Sequence, residues 1–257
     1  MSVNPYDSPE TVGRAPKRKP GWVRFRLVEL LVVVGVIGVL IALLLPSVRV
    51  SREAARRSMC SGHLKQIAIA LLSYEEEYQC LPPAYTVDAS GKPLHSWRTL
   101  ILPYLEERTL YDKIDLTKPW DDPANQAAYG TIVATYECPS AAGPARHTTY
   151  LAIVGPNSCW PASQPRRLAE ITDDRDLTLL VIEVDAGHAV HWMFPQDASE
   201  ALAASIGESK GLSHPGGTQA LFVSGQIRFL PKSIKPAVLR AAISIAGDDD
   251  KLAVATN

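Results

Sequence analysis

The sequence has almost no net charge: 26 Lys and Arg face 27 Asp and Glu over 257 residues, a formal charge of −1. It also lacks the short motifs that mark common chemistries. There is no G-x-S-x-G, no H-E-x-x-H, no G-x-x-x-x-G-K-[ST] and no paired C-x-x-C. A nucleophile elbow, a zincin helix and a phosphate loop are therefore excluded as local signatures. What remains is an ordinary globular composition, 46% hydrophobic and 21% charged, in a chain long enough for one large domain or two small ones.

The near-neutral total hides a division. Residues 1–57 carry ten Lys and Arg against four acids, and the remainder carries 16 basic against 23 acidic side chains. The basic part fits a membrane surface, and the acidic part argues against nucleic-acid binding. Inside the basic part lies LVELLVVVGVIGVLIALLL, residues 27–45, whose single charge is Glu29. As a helix rising ~1.5 Å per residue it covers about 28 Å, close to the ~30 Å hydrocarbon core. It is longer than a signal-peptide apolar region, and Pro46-Ser47-Val48-Arg49 follows it in place of a small-x-small cleavage site. Retention as a single-pass anchor in the lipid bilayer is the expectation.

Lys and Arg flank both ends, with a weak bias toward a cytoplasmic N-terminus. The polar, Pro-rich stretch before the span reads as a disordered arm against anionic headgroups. Two readings of Glu29 stay open: an interfacial carboxylate paired with Arg26, or one that meets a positive group on a neighbouring subunit. Gly35, Gly38 and Ala42 form a small-residue stripe of the kind that lets membrane helices approach closely, and self-association there is a further expectation.

The stretch Phe25-Arg26-Leu27-Val28-Glu29 resembles the start of a prepilin, in which Glu follows Phe by four residues. Beyond it, IALLLPSVRVSREAARRSMCSGHLKQIAIAL (41–71), residues 80–125, YECPS (136–140), TTYLAIVGP (148–156), RRLAEITD (166–173) and HPGGTQALFVSGQIRFL (214–230) resemble the prepilin-like proteins of domain-of-unknown-function family 1559, of the planctomycete type. The resemblance implies a pilin-like α+β fold: a long N-terminal helix, half in the membrane, packed on an antiparallel sheet with additional short helices. It also implies a place in an envelope or secretion-type assembly. Two departures stand out. Arg24 occupies the place of the Gly that prepilins carry before the cut, which argues against cleavage. The family's C-terminal signature, His, nine residues, then Asp-Gly, is here His214 followed by Ser224-Gly225.

The division expected is a basic cytoplasmic arm (1–26), a membrane helix (27–46), an extracytoplasmic α+β domain (47–247) and a flexible tail (248–257). The helix should continue to about Tyr78, because Leu64, Ile67, Ala68, Leu71, Tyr74 and Tyr78 keep an i, i+3/i+4 stripe. Leu81-Pro82-Pro83 should end it. Residues 96–111 read as a helix interrupted near Pro103, and 123–134 as another short one. Strand candidates are 149–154, 178–184, 220–223 and 226–230, the last two joined by a tight turn at Ser224-Gly225. A closing helix is expected over 236–246 with Pro at its start.

Candidate chemistry is sparse. Cys60, Cys80, Cys138 and Cys159 all follow the span, and disulfides and free buried thiols are both open. Glu183, Asp185, His188 and His191 are a conceivable metal set, but their spacing matches no ligand pattern, and a surface loop explains them better. Ser213 beside His214 suggests a nucleophile, yet the Pro-Gly-Gly that follows suits a tight loop, with His214 holding loop backbone. Trp97, Trp120, Trp160 and Trp192 suit a core better than a ligand groove. The expectation is thus a non-enzymatic membrane-anchored structural or adaptor protein with no cofactor, no metal and no catalytic residue. The alternative is a tethered extracytoplasmic protein that binds a solute, carbohydrate or peptide.

Overall fold

The structure, a computed structural model, describes residues 27–247, apart from the side chains of residues 43–50. The expected arm at 1–26, including Arg24 and Phe25, and the expected tail at 248–257 lie outside the described residues.

Helix α1 runs from Leu27 to Tyr78, a continuous 52 residues, as the apolar run and the later stripe together predict. The chain divides into two units at Val48/Arg49, and each has its own character. In the first, every described side chain from Leu27 to Ala42 is exposed, including Val28, Leu31 and Val39. A Cβ added at Gly35 or Gly38 would meet no described atom within 4 Å, and Ala42 is exposed, so the small-residue stripe is open along its own unit. Among the described residues no helix is long and apolar enough to cross a membrane. Leu43–Leu45, the end of the expected span, lie outside the described side chains.

In the second unit α1 becomes a core helix. Cys60, Leu64, Ile67, Ala68 and Leu71 are buried, Tyr74 is half-buried, and Tyr78 is exposed, so the stripe closes one turn earlier than its spacing suggests. Gln79 ends the helix in the left-handed region, φ 59, with its N–H on the Glu75 carbonyl. Each fully buried Leu or Ile side chain is worth roughly 1.5–3 kcal/mol. These residues therefore hold α1 to the domain more firmly than polar contacts such as Lys65 Nζ to the Gly225 carbonyl, 3.2 Å, which contribute about 1 kcal/mol.

Short elements follow: strands β1 (Tyr85–Val87) and β2 (Pro93–Ser96), then helices α2 (Trp97–Leu100), α3 (Arg108–Tyr111) and α4 (Gln126–Tyr129). A 3-10 turn at Leu102–Tyr104 carries Pro103 between α2 and α3, the interruption the sequence predicts. Strands β3 (His147–Thr148), β4 (Tyr150–Val154), β5 (Leu179–Glu183), β6 (Val190–His191) and β7 (Ala198–Ser199) come next, then α5 (Glu200–Ala204), β8 (Gly217–Phe222), β9 (Ile227–Pro231) and α6 (Pro236–Ile243). The main sheet has the order β7-β4-β5-β8-β9.

Three expectations need correction. The sheet is mixed, because β7 pairs parallel with β4 at Ile153–Ala198 and Val154–Ser199. A two-residue strand has no period to read. The β8–β9 turn is not a two-residue one: the Gly225 N–H bonds the Phe222 carbonyl and only Gly225 has positive φ, +83. A two-residue I′ turn needs positive φ at both central residues, so the loop is Val223-Ser224-Gly225 with the glycine as bulge. Finally, α4 stops at Tyr129 and α6 at Ile243, short of the predicted ends.

The central strands are buried on both faces because both are covered. One face joins α1 and the short helices through Ala152, Val181, Leu221 and Trp160. The other meets α5 and α6 through Leu151, Ile182, Phe222, Leu239 and Ile243. Trp97, Trp160 and Trp192 are fully buried core residues.

Candidate functional site

Strand register builds a polar row on the α1 side of the sheet. Tyr150 lies opposite Glu183, and since Ile182 pairs with Ala220, Glu183 lies beside Gln219. Ile182 and Val184 point into the α5/α6 cluster. Strand alternation therefore turns Glu183 the other way, toward α1. From the helix come Glu53 and Cys60, seven residues apart and so on one face. Cys138 follows the 3-10 turn Ala134–Tyr136, and His214 sits just before β8, bridged to Gly217.

These side chains converge. The Sγ atoms of Cys60 and Cys138 are 2.8 Å apart, Cys138 Sγ is 3.7 Å from His214 Nε2, and His214 Nε2 is 3.5 Å from Glu183 Oε2. The ligand atoms of Cys60, Cys138, Glu183 and His214 all lie within 4.8 Å of one another, and all four residues are buried. On the far side of the imidazole, His214 Nδ1 is 2.8 Å from Glu53 Oε1, and the Ser140 hydroxyl donates to the same carboxylate at 3.2 Å. Glu183 Oε1 and the Tyr150 hydroxyl are buried with no hydrogen-bond partner. A buried carboxylate without full pairing is costly, on the order of several kcal/mol.

The protons follow that cost. Burial, then the neighbouring Cys138, pushes the Glu183 carboxyl up to about 8. The hydrogen bond to Cys60 and burial push the Cys138 thiol up to about 12, while the same bond lowers Cys60 against burial. Burial works against a charged His214, but Cys138, Glu53 and Glu183 outweigh it and raise its pKa to about 9.

The residues singled out from the sequence fare differently. Glu183, Asp185, His188 and His191 are not one group. Asp185 caps a 3-10 turn, accepting from the Gly187 N–H at 2.9 Å and the Ser209 hydroxyl at 2.8 Å, with His188 Nδ1 at 3.0 Å. His191 is stacked on Tyr129, with ring centroids 4.4 Å apart. The Ser213 hydroxyl is buried without a hydrogen-bond partner, so no base activates it. The side chain of His214 engages Glu53, not loop backbone as the sequence suggests. All four cysteines are free thiols. In the sequence, Cys60 and Cys138 read as cysteines of open pairing, Glu183 as part of a loop set and His214 as a loop residue. Nothing local joins residues such as Cys60 and Cys138, which lie 78 positions apart.

The fold and site together define an α+β domain with a long N-terminal helix and a buried thiol–imidazole–carboxyl cluster. Residues 49–164 match the family described as Protein of unknown function (DUF1559), in support of the family resemblance. No curated protein and no solved structure matches the chain.

Proposed function

We propose that this protein is a non-catalytic, pseudopilin-like structural or adaptor protein of the cell envelope, anchored in the membrane by the first section of α1. The observation that carries the reading is the apolar surface of Leu27–Ala42, exposed throughout and continuous in sequence with the core helix of the domain. Exposed aliphatic residues such as Leu27, Val28, Leu31 and Val39 would each gain roughly 1.5–3 kcal/mol on leaving water, which favours lipid or a partner helix over solvent. Glu29 sits in the first turn, where an acid reaches the interface at low cost. Arg24 in place of the prepilin glycine favours an anchor that is never cut, with the domain on the extracytoplasmic side. Gly35, Gly38 and Ala42 would serve self-association.

Alkaline carbonate extraction followed by intact-mass analysis tests this. The expected result is a chain that stays with the membrane and retains Arg24. Release into the wash overturns the anchor. A mature chain beginning at methylated Phe25 overturns permanent anchoring and restores filament assembly.

One observation favours a second reading, a tethered binding protein. An open cavity of about 430 Å³ is lined by Trp120, Tyr129, His191 and Phe194, the amphipathic surface that stacks on sugars or peptides. Binding of an oligosaccharide or peptide panel that is lost in Trp120→Ala would favour this reading.

A further inference from the structure

We propose that Cys60, Cys138, Glu183 and His214 form a binding site for a divalent transition-metal ion of the zinc class, which joins α1 to the sheet. The donor set is two sulfurs, one imidazole nitrogen and one carboxylate oxygen. Thiolate and imidazole select zinc and its neighbours over magnesium and calcium, which need all-oxygen cages. With metal–ligand bonds of about 2.0–2.3 Å, the edges of a tetrahedral site measure roughly 3.3–3.8 Å. The pairs Cys138–His214, 3.7 Å, and His214–Glu183, 3.5 Å, already have that spacing. The sulfurs at 2.8 Å need to part by about 1 Å to reach it.

Two independent features point to a ligand. Glu183 directs Oε2 to His214 Nε2 at 3.5 Å, and its Oε1 is buried with no hydrogen-bond partner, which a cation held by the same carboxylate would supply. His214 is held from behind: Glu53 takes Nδ1 and leaves Nε2 directed at the other donors. That carboxylate–histidine arrangement behind a donor nitrogen is the outer-sphere support metal-bound histidines use to fix tautomer and ring orientation. The rival explanation is a Cys60–Cys138 disulfide. It would satisfy the sulfurs but leave a buried carboxylate and an oriented imidazole without a purpose.

All four ligands come from the protein and are buried, so the site is closed, as structural sites are, and offers no position for a substrate. Its ligands come from α1, the segment after the Ala134–Tyr136 turn, β5 and the segment before β8, so one ion would tie four distant parts of the chain together. Cys60 and Cys138 bind as thiolates, and their protons leave to solvent as the metal enters. A cavity of about 70 Å³ bordered by Cys138, Pro144 and Thr149 reaches one of the four donors. The site lies wholly within the unit from Arg49 onward and does not depend on how the protein is anchored.

The test uses the full chain, extracted in detergent with thiols trapped at lysis. Elemental analysis should find about one zinc per chain. Cobalt substitution should give intense tetrahedral d–d absorption together with thiolate-to-cobalt charge-transfer bands. Cys138→Ser should lose the metal and those bands. Glu183→Gln preserves shape and lowers affinity by at least tenfold with unchanged far-UV circular dichroism, which separates ligand loss from misfolding. The proposal is overturned if the folded, reduced chain takes up neither zinc nor cobalt. It is equally overturned if bound cobalt lacks charge-transfer bands, if Glu183→Gln binds as wild type does, or if the trapped chain carries the mass deficit of a Cys60–Cys138 disulfide.

Discussion

Two buried polar clusters among the described residues differ in what supplies their positive charge. In one, Arg98 donates from Nε to the Trp192 carbonyl at 2.9 Å, from Nη2 to the carbonyls of Phe194 and Gln196 at 3.0 and 2.9 Å, and from Nη1 to Asp197 at 2.7 Å and the Tyr150 carbonyl at 3.4 Å. Every N–H of the guanidinium is used. Asp197 Oδ1 in turn accepts from Trp97 Nε1 and the Ala152 N–H. The cluster binds the segment around β7 to β4 and α2, and Arg98 balances the Asp197 charge, although Asp197 Oδ2 is buried without a hydrogen-bond partner. In the other, a carboxyl, two thiols and an imidazole converge with Glu183 Oε1 unpartnered and no arginine or lysine among them. The first cluster carries a permanent cation of its own in Arg98. The second carries only groups that gain or lose protons, and it is there that a metal ion is proposed.

The sharpest way to break the contrast is to remove one partner from the first cluster. Arg98→Met leaves Asp197 buried and unpaired, which costs about 3–5 kcal/mol. Urea unfolding should show this loss with or without chelator. Arg98→Met combined with Asp197→Leu should recover much of it, because the cost lies in the stranded charge. If the single variant is less than about 1 kcal/mol destabilised, the pair is not the anchor the hydrogen bonds indicate.

Two of the three buried imidazoles among the described residues, His191 and His214, differ in the same way. His191 has both nitrogens committed: Nε2 donates to the Tyr129 carbonyl at 3.1 Å, and Nδ1 accepts from the Met193 N–H at 3.2 Å. That arrangement admits only the neutral ring, and burial lowers its pKa from 6.5 to about 4. In the unfolded chain the ring takes up a proton near 6.5. Folding therefore keeps its full stability above that pH and loses it as pH falls toward about 4. The loss attributable to His191 is roughly 2–3 kcal/mol at the lower end. Measured between pH 7 and 4, the stability of His191→Gln should fall less steeply than that of wild type. Parallel slopes would assign the acid sensitivity elsewhere.

His214 has its shortest contact at Nδ1, 2.8 Å to Glu53, while Nε2 meets Cys138 and Glu183 at the longer distances of 3.7 and 3.5 Å. Glu53→Gln keeps the four proposed ligands and should weaken zinc or cobalt binding about 10–100-fold. Its cobalt spectrum should remain that of a tetrahedral thiolate site. Competition with a chromophoric chelator measures the change, and affinity equal to wild type would leave the Glu53–His214 bond with no part in the site.

Legibility in the sequence follows the reach of each interaction. The 52-residue helix and the four main strands were readable because their signals are local: an apolar run, a 3.6-residue stripe, β-branched clusters between turn residues. The pairs β3–β6 and β4–β7 were not, since two-residue strands carry no pattern and exist only through partners far along the chain. The same holds for the site. Glu183 was noticed for its neighbours Asp185 and His188, but strand alternation sends it to the opposite environment, and its real companions arrive from Cys60, Cys138 and His214. Arg98 drew no attention, because a lone arginine in a helical segment is ordinarily solvated and nothing nearby in sequence announces Asp197.

The β8–β9 hairpin belongs to neither cluster and isolates backbone geometry from side-chain chemistry. Gly225 adopts φ +83, where an L-residue is strained, although a Cβ there would meet only Leu72 Cδ1 at an ordinary 3.5 Å. Gly225→Ala should therefore cost about 1 kcal/mol, all of it conformational. Ser224→Asp installs the acid found in the family signature. Ser224 Oγ already accepts from the Gln226 N–H at 3.4 Å, and a carboxylate there does the same, so its effect on stability should stay within about 0.5 kcal/mol. Neither substitution should alter metal content, since neither residue is among the buried donors. A Ser224→Asp variant with changed zinc stoichiometry would show that the signature acid communicates with His214.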